Sequence, residues 1–291
     1  MYLILVIKAL FRDLIFGLIF FKDKLVDYLD TDHDLGYPRA LREAVGSDTL
    51  TNHRPWTNKS KGLYCFFNGL NSHPRVFKRQ ISMVPKGYDI YAPLIPARQP
   101  LLTVSEPILE IIKTYTAQYP NNPITLFGLS NGTRISLWVE IQLRTVFPTN
   151  PVSVSNIAGV HRGTKNMNLL KKIYDTLNVH NNLLRYIFPY YHPKLMEELV
   201  WDSDLSKELM KALYARHSHV RSYSFFGSDH DVTIPEIESS IPISIRDTMG
   251  NKLSGDIYLH PVVGEGHNSI VSCVYEHQML SCNDWMERHS S

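Results

Sequence analysis

The fold is decided by residues 124–141, which read ITLFGLSNGTRISLWVEI. The apolar run Ile124 to Phe127 predicts a buried strand, and the apolar residues from Ile135 onward predict a helix. Between them lies Gly128-Leu129-Ser130-Asn131-Gly132. A nucleophile on a sharp strand-to-helix turn needs small residues two positions before and after it, because the backbone there is strained. We therefore predict that Ser130 is a nucleophile at a helix N-terminus, where backbone amides and the helix dipole stabilise an oxyanion.

The composition of the 291-residue chain is that of a globular protein, with 44% hydrophobic and 20% charged residues. It excludes a disordered chain, a collagen-like repeat and a pure coiled coil. Thirty Lys plus Arg against 28 Asp plus Glu argue against a nucleic-acid partner. The chain has three cysteines, which argues against a disulfide framework. This favours a cytoplasmic or other reducing compartment.

Short apolar runs alternate with longer helical patterns from Leu63 to the C-terminus, which predicts a mostly parallel sheet with helices on both faces. We expect an α/β domain over residues 61–291, after an N-terminal segment and linker over residues 1–60. One helix is expected over Ser105 to Ala117, with Pro107 early in it. Six strands are expected, at Leu63 to Phe67, Tyr88 to Ala92, Ile124 to Phe127, Val152 to Ile157, Val220 to Phe226 and Ile257 to Val263.

One connection, from about Thr164 to His219, is too long for a simple crossover. It carries two helical patterns and, between them, an aromatic stretch that includes Tyr190 and Tyr191. We interpret residues 165–218 as a helical cap and expect both tyrosines to contact substrate.

A serine hydroxyl needs a base to take its proton and an acid to orient that base. His267 is the predicted base, because it follows a late strand and a glycine turn and precedes the last helix; His73, His230 and His260 are alternatives. The predicted acid is Asp231, at the end of the strand before, with Asp229 as the alternative. The backbone amides of Leu70, after Gly69, and of Asn131 are the predicted oxyanion donors.

These motifs resemble the α/β-hydrolase superfamily, within it the lipases and esterases, from about Lys61 to the C-terminus. The order Ser130, Asp231, His267 is the order of that superfamily's catalytic triad. Ile157 to Thr164 is similar to a Thr-Pro-His-x-Gly-Ser/Thr segment of lipases, which implies a place near substrate and cap for His161. Two positions depart from the family: Val160 replaces the proline of that segment, and Asn68 replaces the histidine that often begins the oxyanion loop.

The first 21 residues, MYLILVIKALFRDLIFGLIFF, are apolar except for one glycine and three central charges. Those charges disfavour a bilayer span and a secretory signal. A helix in the membrane interface fits better, with Lys8 and Arg12 facing lipid head groups and Phe11 and Leu14 entering the acyl region. The alternative is a helix packed on protein.

The predicted activity is hydrolysis of a carboxylic ester, and specifically of a lipid, through an acyl-enzyme. Two alternatives remain open: an acyltransferase or thioesterase with the same triad, and a noncatalytic membrane-docking protein. No organic cofactor is expected. No metal is expected either, because the carboxylates of residues 30–36 lack the glycine position and the bidentate glutamate of a calcium loop.

Overall fold

The computed structural model of the protein describes residues 7, 8, 10, 11, 14, 15, 56–70, 72–96, 99–176, 193–214, 221–240 and 256–290. The strands are β1 (Leu63–Phe67), β2 (Asp89–Tyr91), β3 (Ile124–Leu129), β4 (Val152–Ile157), β5 (Arg221–Ser228) and β6 (Asp256–Val262). The helices are α1 (Lys78–Ser82), α2 (Leu101–Gln118), α3 (Gly132–Val146), α4 (Lys165–Thr176), α5 (Pro193–Leu199), α6 (Asp204–Tyr214), α7 (Ile237–Ser240) and α8 (Ser269–His289), and a 3-10 helix covers Pro74–Phe77.

The strands form one sheet in the order β2-β1-β3-β4-β5-β6, and every neighbouring pair is parallel. All six predicted strands are confirmed, and each strand end lies within two residues of its predicted position. Because the strands are parallel, their carboxyl ends share one edge of the sheet, where ligands bind in open α/β folds.

Helices cover both faces of the sheet, as predicted. The alternation in β1 shows this: Cys65 and Phe67 pack in a core with α2, α3 and α6, whereas Tyr64 and Phe66 pack in a second core with α1 and α8. Every residue of β1 is fully buried, which explains why its sequence is a continuous apolar run.

Helix α2 begins at Leu101, four residues before the predicted start at Ser105. The prediction placed Pro107 in the first turn, but the helix includes this proline in its interior. Pro100 precedes the first helical residue instead. Burial of Leu101 and Val104 against the core outweighs the backbone hydrogen bond that Pro107 does not donate.

The long insertion after β4 contributes α4, α5 and α6. Leu209 and Leu213 of α6 pack in the same core as α2 and α3. Among the described residues of the insertion, those of α4 and α5 lie outside this core. Leu195 and Leu199 of α5 pack in a separate small cluster with Val160 and Ile234. Tyr190 and Tyr191 lie outside the described residues, and their substrate contact stays a prediction.

The six described positions of the N-terminal segment are helical and exposed. Within the parts of the chain that the structure describes, no helix is long and apolar enough to cross a membrane. The remaining positions of residues 1–21 and the linker up to residue 55 lie outside those parts.

Candidate active site

Ser130 occupies the sharp turn between β3 and α3 and has a φ of +52°, in the left-handed region. Such a conformation costs free energy for a residue with a side chain and is retained where surrounding contacts impose it. Its N–H donates to the carbonyl of Ile157 (3.0 Å), and its carbonyl accepts from the Thr133 hydroxyl (2.6 Å). Both contacts hold the backbone of the turn, and the side chain is half-buried at the carboxyl edge of the sheet.

The glycines on either side of Ser130 are required by close packing. A Cβ on Gly132 would overlap the Phe67 carbonyl oxygen at the end of β1 and lie 2.6 Å from the carbonyl carbon. A Cβ on Gly128 would lie 2.6 Å from both Thr133 Cα and the Asn156 side-chain oxygen. The turn can therefore lie against β1 and β4 only with glycine at both positions.

Gly132→Ala is expected to destabilise the protein by about 2–3 kcal/mol, because the added methyl group meets the backbone of a fully buried strand. The measurement is the urea midpoint of unfolding. Thr145→Ala, at an exposed position of the same helix, is the control and should change stability by less than about 0.5 kcal/mol. Equal midpoints for Gly132→Ala and the wild type would contradict the close approach.

The loop after β1 lies directly beside the nucleophile turn. A Cβ on Gly69 would lie 2.9 Å from Ser130 Cβ and 3.4 Å from Ser130 Oγ. Asn68 is fully buried, and its side-chain amide donates to the carbonyls of Gly69 (3.1 Å) and Ser72 (2.8 Å). Asn68 therefore closes the loop that carries Leu70, one of the two predicted oxyanion donors, next to Ser130.

His267 and Asp231 form a hydrogen-bonded pair, with 2.7 Å between Nδ1 and Oδ2. The second carboxylate oxygen, Oδ1, accepts from the backbone N–H groups of Thr233 (2.8 Å) and Ile234 (2.9 Å). Both side chains are more than nine-tenths buried. Because Asp231 accepts at both oxygens, its carboxylate is held in a fixed orientation and directs the Nδ1–H tautomer of His267, which leaves Nε2 as the basic nitrogen.

Asp229, the alternative acid, instead pairs with His230, and its side chain is about half exposed. The alternative bases lie elsewhere: His73 accepts from the Arg75 amide, and the His260 ring stacks on Phe226. The histidine hydrogen-bonded to the Asp231 carboxylate is His267. The geometry therefore brings together the preferred acid and base.

The acid loop and the histidine loop are also joined by a hydrogen bond. The Ser228 hydroxyl, fully buried at the end of β5, donates to the carbonyl of Glu265 (2.7 Å). The Gly266 amide donates to the Ser269 hydroxyl (2.9 Å). These contacts hold the loops of Asp231 and His267 at a constant separation.

His161 is enclosed in the protein. Its Nδ1–H donates to the Ser239 carbonyl (2.7 Å), and its Nε2 accepts from the Asn156 side-chain amide (3.0 Å). The pKa of His161 is lowered to about 4, chiefly by burial; the Ser239 bond opposes this shift and the nearby Arg134 adds to it. In the described structure, the neutral imidazole braces the segment after β4 rather than facing the surface.

His161 should make the protein sensitive to acid. A folded-state pKa near 4, below the ordinary value of 6.5, means that its contribution is complete above pH 6.5 and is lost as the pH falls toward 4. Between pH 7.5 and 4.5 this loss is on the order of 2–3 kcal/mol. Urea unfolding of the wild type and His161→Gln at both pH values measures it, and a pH-dependent loss as large in His161→Gln as in the wild type would contradict the assignment.

Two features of the site were not predicted from the sequence. The first is the role of Asn68 in closing the loop. The sequence does carry a sign of this role, because a side-chain amide directly precedes the loop glycine, Gly69. The second is Arg134, a fully buried cation in the first turn of α3, near Glu198 of the insertion. Among the described residues, no group of His, Cys, Asp or Glu side chains is arranged to hold a metal ion.

No family sequence model and no curated protein matches the chain. Solved structures do match. A lipase-esterase related protein from Clostridium acetobutylicum has a TM-score of 0.50 at 14% identity, over 79% of this chain and 96% of its own. DcsB, solved with its substrate analogue, has a TM-score of 0.51 at 12% identity, over 80% of this chain and 92% of its own.

Together the sheet order, the nucleophile turn and these matches show that the chain has the α/β-hydrolase fold. The resemblance expected from the motifs is thereby confirmed at the level of the fold.

Proposed function

We propose that this protein is a serine hydrolase that cleaves a carboxylic ester, with a lipid ester as its substrate class. The observation that carries the proposal is the 2.7 Å Asp231–His267 bond at the sheet edge where Ser130 occupies a strained turn. A hydrogen-bonded acid–base pair and a strained serine beside a glycine loop are the parts that acyl transfer needs.

The mechanism follows from these roles. His267 Nε2 takes the Ser130 proton while Oγ attacks the ester carbonyl carbon, and the backbone amides of Leu70 and Asn131 stabilise the oxyanion. The C–O bond to the alcohol breaks, and His267 gives its proton to the leaving oxygen. Water then attacks the acyl-enzyme with His267 again as base, which releases the acid and restores Ser130. Asp231 stabilises the imidazolium in both steps.

A lipid substrate is supported by the apolar surroundings of the site. Leu70, next to the glycine loop, packs against a cluster of Val160, Leu195, Leu199 and Ile234. This cluster joins the oxyanion loop, the insertion and the acid loop. We expect an acyl chain bound at Ser130 to contact Leu70, the partly buried member of this cluster.

The N-terminal segment supports contact with a membrane surface. Ile7, Leu10, Phe11, Leu14 and Ile15 follow the i, i+3, i+4 spacing of one helix face and are between 41% and 60% exposed. Lys8 is also exposed. An apolar helix face with an adjacent cation matches an anionic lipid interface, which is the partner we assign to it.

The test is hydrolysis of p-nitrophenyl esters from acetate to palmitate, with and without anionic vesicles. We expect the specificity constant to rise with chain length and the long-chain rate to rise with vesicles. Phe11→Glu should remove the vesicle effect and leave the short-chain rate unchanged. A rate confined to acetate would contradict the lipid preference, and an unchanged vesicle effect in Phe11→Glu would contradict the membrane contact.

A further inference from the structure

A buried arginine lies one helical turn after the nucleophile. The Arg134 side chain is fully buried in α3, three residues after Asn131. Its Nη1 donates to the side-chain oxygen of Asn131 (3.3 Å), and its backbone N–H donates to the Asn131 carbonyl (3.1 Å). Arg134 therefore holds both oxygens of the residue whose own backbone N–H is assigned to the oxyanion.

The same guanidinium faces a carboxylate of the insertion. Arg134 Nη2 lies 3.8 Å from Glu198 Oε2, on α5. That oxygen also accepts from the backbone N–H of Leu101 (2.9 Å), the first residue of α2. Glu198 is itself more than nine-tenths buried, so the insertion contributes a buried charge to the nucleophile helix.

Stability alone is a weak reason for this pair. Burial lowers the Arg134 pKa to about 10, with Glu198 opposing the shift, so the guanidinium keeps its charge at neutral pH. Burying both charges removes their hydration, and well-packed apolar residues in their place are often as stabilising. Moreover, Arg134 Nε and Nη2 make no hydrogen bond among the described residues. A buried, incompletely bonded charge pair beside the nucleophile suggests a role in geometry.

We propose that Arg134 is a positioning residue that holds Asn131 in the geometry of an oxyanion donor, and that Glu198 holds Arg134 and so couples the insertion to this donor. The inference rests on the proposed function. In this proposal Arg134 does not contact the substrate. It acts through Asn131, so its loss should lower kcat and leave KM largely unchanged.

The principal test compares Arg134→Met, Glu198→Leu and the double variant with the wild type, by kcat and KM for a p-nitrophenyl ester and by the urea midpoint. Each single change leaves one buried charge unpaired and should lower the midpoint, whereas the double variant should recover part of the loss, because the Leu101 N–H still lacks its Glu198 acceptor. We expect kcat of the double variant to stay about 10- to 100-fold low, with KM within about twofold. Recovery of kcat together with the midpoint would overturn the positioning role.

Arg144→Met is the control for the loss of a partly buried arginine that pairs with a buried glutamate. Arg144 lies at the far end of the same helix and pairs with the buried Glu140 (3.2 Å). Its replacement should lower the midpoint without a change in kcat. An equal fall in kcat for Arg144→Met and for Arg134→Met would show that lost stability explains both, and would overturn the proposal.

Asn131→Ala provides a second test that leaves the ion pair intact. It removes the side-chain acceptor of Arg134 and keeps the backbone N–H. We expect a fall in kcat of about 10-fold and no further fall when Arg134→Met is added, because both changes remove one interaction. Unchanged kcat in Asn131→Ala, or losses that multiply, would overturn the inference. Ser130→Ala separates the two proposals, because activity that survives it defeats the proposed function itself.

Discussion

Ser130→Ala is expected to lower kcat for ester hydrolysis by about 10³- to 10⁶-fold. The substitution removes the only atom, Oγ, that forms the acyl bond, and the oxyanion donors and binding contacts that remain supply a small residual rate. Steady-state hydrolysis of a p-nitrophenyl ester by matched preparations of wild type and variant measures the effect.

The variant should fold as the wild type does, because the contacts that impose the turn at residue 130 are made by its backbone. Equal urea midpoints would establish this. Ser153→Ala, a buried serine near the amino end of β4 and so at the opposite edge of the sheet, is the control and should keep the wild-type rate. A Ser130→Ala protein that retains a tenth of the activity would remove Ser130 as the nucleophile.

Asp231→Asn is expected to lower kcat by about 10⁴-fold. The two backbone donors at Oδ1, Thr233 and Ile234, require the amide oxygen of the asparagine at that position. Its NH₂ group must then face His267 Nδ1, where the carboxylate Oδ2 lies in the wild type. His267 Nδ1 can only accept from that group, so Nε2 carries the proton and cannot take one from Ser130.

Asp229→Asn is the matched control, since Asp229 is the other carboxylate of the same loop and pairs with His230. Its kcat should stay within about twofold of the wild type, as for a half-exposed side chain outside the hydrogen-bonded pair. A larger loss in Asp229→Asn than in Asp231→Asn would reverse the assignment of the acid. The pair of variants therefore separates the two alternatives that sequence reasoning left open.

The sheet could be predicted because buried parallel strands are apolar along their whole length, as β1 is. The nucleophile turn could be predicted because Gly128 and Gly132 have a steric function that depends on local spacing. The start of α2 could not, because burial of Leu101 outweighs the local preference of Pro107 for a first turn.

The remaining parts of the site depend on pairs that are distant in the chain. Asp229 and Asp231 follow the same strand, and only the packing of the loop after β6 brings His267 to one of them. Arg134 and Glu198 are likewise brought together by the packing of α5 against α3, which no local pattern encodes. From a single sequence, Arg134 can be recognised as a charged residue directly before the apolar residues of the predicted helix, but its partner cannot be identified.

The most direct test of the central claim is labelling by a fluorophosphonate, followed by peptide mass spectrometry. An activated serine displaces fluoride, and a phosphorus–oxygen bond forms at Oγ. We expect a single adduct, on the peptide that contains Ser130. It should form rapidly in the wild type and in Asp229→Asn, and much more slowly in Asp231→Asn. A protein that is folded but unlabelled at Ser130, or labelled equally fast in Asp231→Asn, would contradict the claim that Ser130, His267 and Asp231 act together.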